Sequence, residues 1–167
     1  MLTQEILKKH LHYDPDTGAF TRKVVSGPTV KIGDIAGWIN SEGYRKLRLF
    51  GTAYYSHTLA WLYVYGYFPK NDLDHVDRNK ANNRIGNLRE ATRSENVMNC
   101  GLRSNNTSGF RGVTWLKRRS RWVARIYVEG KREQIGYFKT AEEAGRAYEV
   151  KAKKLFGAFY TPQTLST

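Results

Sequence analysis

Asp72-Leu73-Asp74-His75-Val76-Asp77-Arg78-Asn79-Lys80-Ala81-Asn82-Asn83-Arg84-Ile85-Gly86-Asn87-Leu88-Arg89, continuing through Glu90-Ala91-Thr92-Arg93-Ser94-Glu95 to Asn96, is the segment on which fold class and function turn. Hydrolysing a phosphodiester needs a base to activate water and a cation to neutralise charge on the phosphate and the leaving oxygen. An adjacent Asp–His pair supplies for both: the carboxylate is a hard oxygen ligand suited to Mg²⁺ or Mn²⁺, and the imidazole titrates near neutrality. Consecutive side chains on a strand point to opposite faces, a constraint that relaxes where a strand ends in a loop. Taken alone, Asp74-His75 reads as readily as a surface pair. The asparagines change that, because Asn79, Asn82, Asn83, Asn87, Asn96 and Asn99 crowd one segment. Several serve turns, yet an amide oxygen is also an adequate ligand for a hard cation that keeps its waters. Thr92-Arg93-Ser94-Glu95 is a capping-box pattern, which places Asn96 in an early turn of a short helix.

This pattern resembles the HNH nuclease motif, in the form common among phage-encoded homing endonucleases, over roughly residues 55–100. The resemblance implies a ββα-metal module in which two strands and a helix cradle one divalent cation, Mg²⁺ or Mn²⁺. It implies His75 as the general base, Asp74 and Asn96 as metal ligands, and Asn87 as the residue that fixes the loop and the orientation of His75. Asn83 is the alternative for that middle position. Asn96 replaces a histidine, a variant the phage proteins share. Most relatives carry an arginine after the equivalent of His57; Thr58 departs from that, and His57 is read as a satisfied core histidine. The pieces 13–20 and 33–50 resemble the N-terminal leader of such nucleases.

Around the motif, Leu2, Ile6, Leu7 and Leu11 have helical spacing, and the turn residues of Tyr13–Phe20 sit between two short β-prone pieces, predicting a hairpin. Residues 33–56 continue in β style, with turns near Asn40–Gly43 and at Gly51. Leu59-Ala60-Trp61-Leu62-Tyr63-Val64-Tyr65 reads as a core helix ended by Gly66 and Pro69.

Downstream, 101–108 reads as a polar linker. Three β-prone runs follow, Gly112–Leu116, Trp122–Val128 and Gln134–Phe138, the last two joined by a Glu129-Gly130 hairpin turn. Thr140-Ala141-Glu142-Glu143 is a capping box opening a helix with Ala144, Tyr148, Ala152 and Leu155 along one stripe. The expectation is an α+β chain: a nuclease module over 1–100, a linker over 101–108, and over 109–160 a three-stranded antiparallel sheet packed on one helix. That last part resembles a plant ethylene-response-factor (APETALA-type) DNA-binding domain, from Gly109-Phe110-Arg111-Gly112-Val113 through Trp122–Ile126, Ile135–Phe138 and Ala144–Tyr148. In that family the sheet enters the major groove, so the resemblance implies DNA contacts at Arg111, Gly112 and Arg132. Arg125 stands at a contacting position as well, but with Thr114 and Gln134 it differs from the plant residues, so the plant sequence preference does not transfer. Trp115, Lys117, Arg118, Arg119 and Arg121 are candidates for added contacts on their chemistry alone.

Composition agrees with a polyanion partner, taken to be double-stranded DNA. The 167 residues carry 28 Lys+Arg against 15 Asp+Glu, a net charge of +13. Residues 101–167 hold 14 of the basic residues but only 5 acidic ones, with aromatics interleaved. A hydrophobic share of 40% suffices for a core. The single cysteine, Cys100, excludes an internal disulfide and a Cys-only zinc site. No 18-residue apolar run exists, so no membrane span is expected, and the first residues lack a signal-peptide pattern. By resemblance the protein is phage-encoded and works in the cytoplasm of a bacterial host. The expected activity is metal-dependent endonucleolytic cleavage of DNA, homing-type, by nicking (as a monomer) or by cutting both strands. The alternatives are a sequence-specific DNA-binding protein with an inactive nuclease fold, against which stand the retained Asp74, His75, Asn87 and Asn96, and an RNA-binding protein, against which stands the absence of a recognisable RNA-stacking aromatic pair.

Overall fold

A computed structural model describes residues 1–25, 27 and 29–162. It is mixed helix and sheet and divides into two compact units, Met1–Ala91 and Thr92–Thr167.

The first unit opens with α1 (Gln4–His10), capped by Thr3, whose hydroxyl accepts from the Ile6 amide at 3.3 Å, and anchored by buried Leu7. The chain then runs through β1 (Leu11–Tyr13) and β2 (Phe20–Arg22), an antiparallel pair with Tyr13 opposite Phe20. Asp14 closes the intervening turn by accepting from Asp16, and Gly18 completes it at φ +73°. A Cβ at Gly18 would lie 2.5 Å from Arg84 N and from the Asn83 carbonyl carbon. This hairpin therefore abuts the loop that follows Asp74-His75. Strands β3 (Trp38–Ile39), β4 (Arg45–Leu49) and β5 (Thr52–Tyr55) form an antiparallel sheet in that order. Helix α2 (Ser56–Tyr65) follows, buries Leu59, Ala60, Trp61 and Leu62, and ends at Gly66 with φ +83°. Strands β6 (Asp72–His75) and β7 (Leu88–Ala91) form an antiparallel pair with Asp74 opposite Arg89 and His75 opposite Leu88. Leu7, Leu11, Tyr13, Phe20, Leu47, Leu59 and Leu88 belong to one core, so the elements around the β6–β7 hairpin share their packing.

The second unit begins with α3 (Arg93–Asn99), whose capping box is fully formed: Thr92 Oγ1 accepts from the Glu95 amide and Glu95 reaches back to the Thr92 amide. Strands β8 (Val113–Leu116), β9 (Arg121–Val128) and β10 (Lys131–Phe138) form an antiparallel sheet in the order β10-β9-β8. Glu129 and Gly130 both take positive φ, as a two-residue hairpin turn requires. Helix α4 (Ala141–Phe156) shares a core with the sheet through Val113, Ala124, Ile126, Ala144, Tyr148 and Ala152.

One sequence expectation changes here. Leu155 does not complete the stripe of α4; it is 40% exposed, and Phe156, four residues after Ala152, packs against the core in its place. The compact units part at Ala91/Thr92. The 101–108 segment contributes Asn106, whose side chain donates to the Phe110 carbonyl at 2.9 Å, and Ser108, whose hydroxyl donates to the Val113 carbonyl at 2.9 Å. No helix among the described residues is long and apolar enough to cross a membrane.

Candidate active site

Asp74 and His75 end strand β6, and both are buried, at 5% exposure each. The register sets Arg89 directly across from Asp74, and its Nε and Nη2 lie 2.9 and 2.8 Å from Asp74 Oδ2. Buried carboxylates keep their charge only when paired, and this cross-strand guanidinium supplies the pairing. His75 turns its Nε2 to Asn83 Oδ1 at 3.1 Å, while Asn83 Nδ2 donates to the Ala81 carbonyl at 3.3 Å. With the amide so oriented, Nε2 carries the ring proton and Nδ1 is the basic atom. Asn83 is fully buried, and its own carbonyl accepts from Tyr13 Oη at 2.7 Å. Burial pushes the Tyr13 phenol up to about 12, so it remains a donor at neutral pH.

Asn87 acts elsewhere in the same loop. Its Oδ1 accepts from the Asp77 amide at 3.0 Å, and its Nδ2 donates to Asp77 Oδ1 at 2.9 Å and to the Asn82 carbonyl at 2.8 Å. Asp77 also accepts from Asn82 Nδ2 and from the Asn79 amide. Burial opposes the Asp77 charge, but the hydrogen bonds from Asn82, Asn79 and Asn87 outweigh it and hold the carboxyl below the ordinary range. The two middle asparagines thus have separate tasks. Asn83 touches the His75 ring, and Asn87 staples the loop through Asp77.

His57, at the start of α2, lies with its ring 5.2 Å from that of His75 and nearly perpendicular to it, at 88°. It stacks on Tyr55, with centroids 5.2 Å apart and planes at 16°. Burial, and then the neighbouring His75, hold its pKa down to about 4, so it is neutral at pH 7. Its Nδ1 is buried with no hydrogen-bond partner among the described residues. The satisfied core histidine expected from the sequence is therefore an incompletely satisfied ring set against His75. Arg89 and Asp77 are the residues that sequence reasoning passed over, and His57 is the one it read as core packing. The only signal for Arg89 was its place in a β-prone run after Asn87, and a register was needed to bring it to Asp74.

Asn96 lies in α3, half-buried, with its amide bonded to the Thr92 carbonyl at 2.9 Å and its carbonyl accepting from Cys100 Sγ at 3.4 Å. Among the described residues no three His, Cys, Asp or Glu side chains gather as a metal-binding group. The two donors that the resemblance implies, the Asp74 carboxylate and the Asn96 amide, are oxygens, the ligand type a hard cation takes.

On the sheet of the second unit, alternation sorts the candidate DNA contacts. Trp122, Ala124, Ile126 and Val128 of β9 face α4, and Arg121, Arg125 and Tyr127 face away. Arg132 is paired with Tyr127 and Gln134 with Arg125, so both join the outward face. Arg119 lies over the Tyr137 ring at 4.7 Å, and Lys117 shares its exposed turn. Trp115 pairs with Trp122, ring centroids 5.3 Å apart, which puts it on the α4 side and 43% exposed. Gly112 has φ +66°, and a Cβ there would meet the Arg125 carbonyl and the Tyr148 ring at 2.3 Å. Its conformation alone demands glycine. The Arg111 guanidinium donates to the carbonyls of Val97 and Cys100, and to that of Gly101 at 3.5 Å.

Residues 54–98 match the HNH endonuclease family. The chain belongs to that family. It is 33% identical over 104 residues to Protein 3.8 of Escherichia phage T7, covering 62% of this chain and 85% of the phage protein. It is 29% identical over 129 residues to the uncharacterized HNH endonuclease L560 of Acanthamoeba polyphaga mimivirus, covering 77% of this chain and 66% of that one. Over 51 residues, 30% of the chain, it is 43% identical to the AP2-like ethylene-responsive transcription factor TOE2 of Arabidopsis thaliana, of which this covers 10%. No solved structure matches. The HNH endonuclease is a DNA-cleaving hydrolase, and its family generally uses a divalent metal ion.

Proposed function

We propose that this HNH endonuclease cleaves double-stranded DNA with His75 as the base that takes a proton from the attacking water through Nδ1. The observation that carries this is the Nε2 bond to buried Asn83, which orients the ring and leaves Nδ1 as the basic atom. Asp74 and Asn96 would hold one Mg²⁺ or Mn²⁺, the ligand roles that the resemblance to a ββα-metal nuclease implies. When bound, the cation would neutralise charge on the phosphate and the leaving oxygen. Asn87 keeps the 76–87 loop closed, and neutral His57 packs the His75 ring without adding a like charge. The residues 109–160 form an ethylene-response-factor-like docking module that lays its outward arginines Arg121, Arg125 and Arg132 against the duplex. The functional division is then a nuclease over 1–100, a linker over 101–108 and a docking module over 109–160. A homing mode in a bacterial host cytoplasm, with a monomer nicking one strand, accords with the likeness to a phage protein.

The test is supercoiled plasmid incubated with Mg²⁺, Mn²⁺ or chelator, with ends mapped on both strands. Metal-dependent conversion to open circle that His75→Ala abolishes is the expected result. Cleavage by His75→Ala at the wild-type rate would overturn the mechanism.

A further inference from the structure

Helix α3 is only seven residues long and has no basic residue in its last turn. A helix that short is not stable by itself, and its terminal carbonyls need partners. The partners come from later in the chain. The Arg111 guanidinium forks onto the carbonyls of Val97 and Cys100, with Gly101 at 3.5 Å, so a cation sits at the negative end of the helix. Two neighbours of Asn96 are held as well. Tyr148 Oη lies 3.6 Å from Met98 Sδ, and Thr161 Oγ1 donates to Asn99 Oδ1 at 2.7 Å. The backbone beside Arg111 is fixed in turn: Gly112 has no room for a Cβ, and its carbonyl accepts from the Arg125 amide at 2.8 Å. A rigid path therefore runs from Arg125 on β9 through Gly112 and Arg111 to the end of the helix that carries Asn96.

We propose that Arg111 is a positioning residue for the metal site: it clamps the C-terminal end of α3 and thereby sets the Asn96 side chain. This rests on the assignment of Asn96 as a ligand in the proposed function. It differs from the role that the plant resemblance implied, in which Arg111 would contact DNA. A guanidinium with its fork on protein carbonyls is committed to holding the helix. The sheet and the helix that carries Asn96 are then one mechanical piece.

The experiment uses the full chain as wild type, Arg111→Lys, Arg111→Gln, Asn96→Ala and the double variant Arg111→Gln/Asn96→Ala. Two quantities are read: Mn²⁺ binding by electron paramagnetic resonance with a duplex oligonucleotide present, and duplex affinity in chelator. Arg111→Gln should weaken Mn²⁺ binding about tenfold, the usual cost of losing a group that orients a ligand, with duplex affinity within about threefold, which also shows that the variant folds. Arg111→Lys keeps the charge but not the fork and should fall between. In the Asn96→Ala background Arg111→Gln should add nothing, because both act on one side chain. Wild-type Mn²⁺ binding by both Arg111 variants, or a loss confined to duplex affinity, overturns the inference alone. Wild-type Mn²⁺ binding by Asn96→Ala overturns the ligand assignment and the inference with it.

Discussion

Replacing Asn83 by alanine removes the side-chain amide bonded to the His75 ring while leaving the Asp77–Asn87 staple in place. The lost bond is 3.1 Å long and joins two buried groups. A hydrogen bond of this kind contributes about 1 kcal/mol net, and a buried donor left unsatisfied costs about 1–3 kcal/mol. If that bond holds Nδ1 toward the water, a loss of about 2 kcal/mol at the transition state lowers the rate about 30-fold. Single-turnover nicking of supercoiled plasmid at saturating Mn²⁺ measures it, with the Mn²⁺ titration run alongside. The expected outcome is a slower chemical step with an unchanged metal midpoint, since Asn83 is not a proposed ligand. Nicking within threefold of wild type would refute the assignment of ring orientation to Asn83. A shifted metal midpoint at wild-type maximal rate would refute it equally, by placing Asn83 on the metal side.

His75→Ala should lose on the order of 10²–10⁴ in rate with duplex affinity retained, as measured by gel shift in chelator. Asp74→Ala should raise the Mn²⁺ concentration needed for half-maximal nicking and should leave half-buried Arg89 without its carboxylate, lowering the thermal midpoint as well. His57 favours its neutral form in the fold, with its pKa lowered from 6.5 to about 4. Its contribution is therefore complete above pH 6.5 and is lost as pH falls toward 4, on the order of 3 kcal/mol in all; urea melts at pH 7 and 4.5 should show His57→Phe losing less than wild type, and equal losses would contradict the assignment. Alanine at Arg121, Arg125 and Arg132 together should flatten the dependence of log affinity on log salt by about 0.9 for each phosphate contact removed, and an unchanged slope would take the outward sheet face off the DNA.

Local chemistry was legible before any coordinates. The Thr92–Glu95 and Thr140–Glu143 boxes, the Gly66 stop and the Glu129-Gly130 turn each depend on residues within a few positions of one another, and each forms as its pattern requires. What stayed hidden depends on register and on distance along the chain. Asp74 and Arg89 meet only because β6 and β7 pair in one of several possible alignments. The division of labour between Asn83 and Asn87 needed the path of the loop: the sequence favoured Asn87 for orienting His75, and the ring bonds Asn83. His57 looked like packing because no sequence rule brings residue 57 beside residue 75. The bond from Arg111 back to α3 ran against a resemblance that gave it a different partner.

The hairpin at the start of the chain bears on how portable the catalytic segment is. The family match starts at residue 54, yet Tyr13 Oη bonds the Asn83 carbonyl and Gly18 presses against the backbone at Asn83 and Arg84. A transplant of residues 54–98 into a foreign scaffold would carry Asp74, His75, Asn83, Asn87 and Asn96 intact, and would leave behind the wall their loop leans on. Any recipient would have to provide a phenol and a glycine-tight surface at the same spot. Two substitutions outside the matched segment, Tyr13→Phe and Gly18→Ala, mimic that omission one atom group at a time in the native chain.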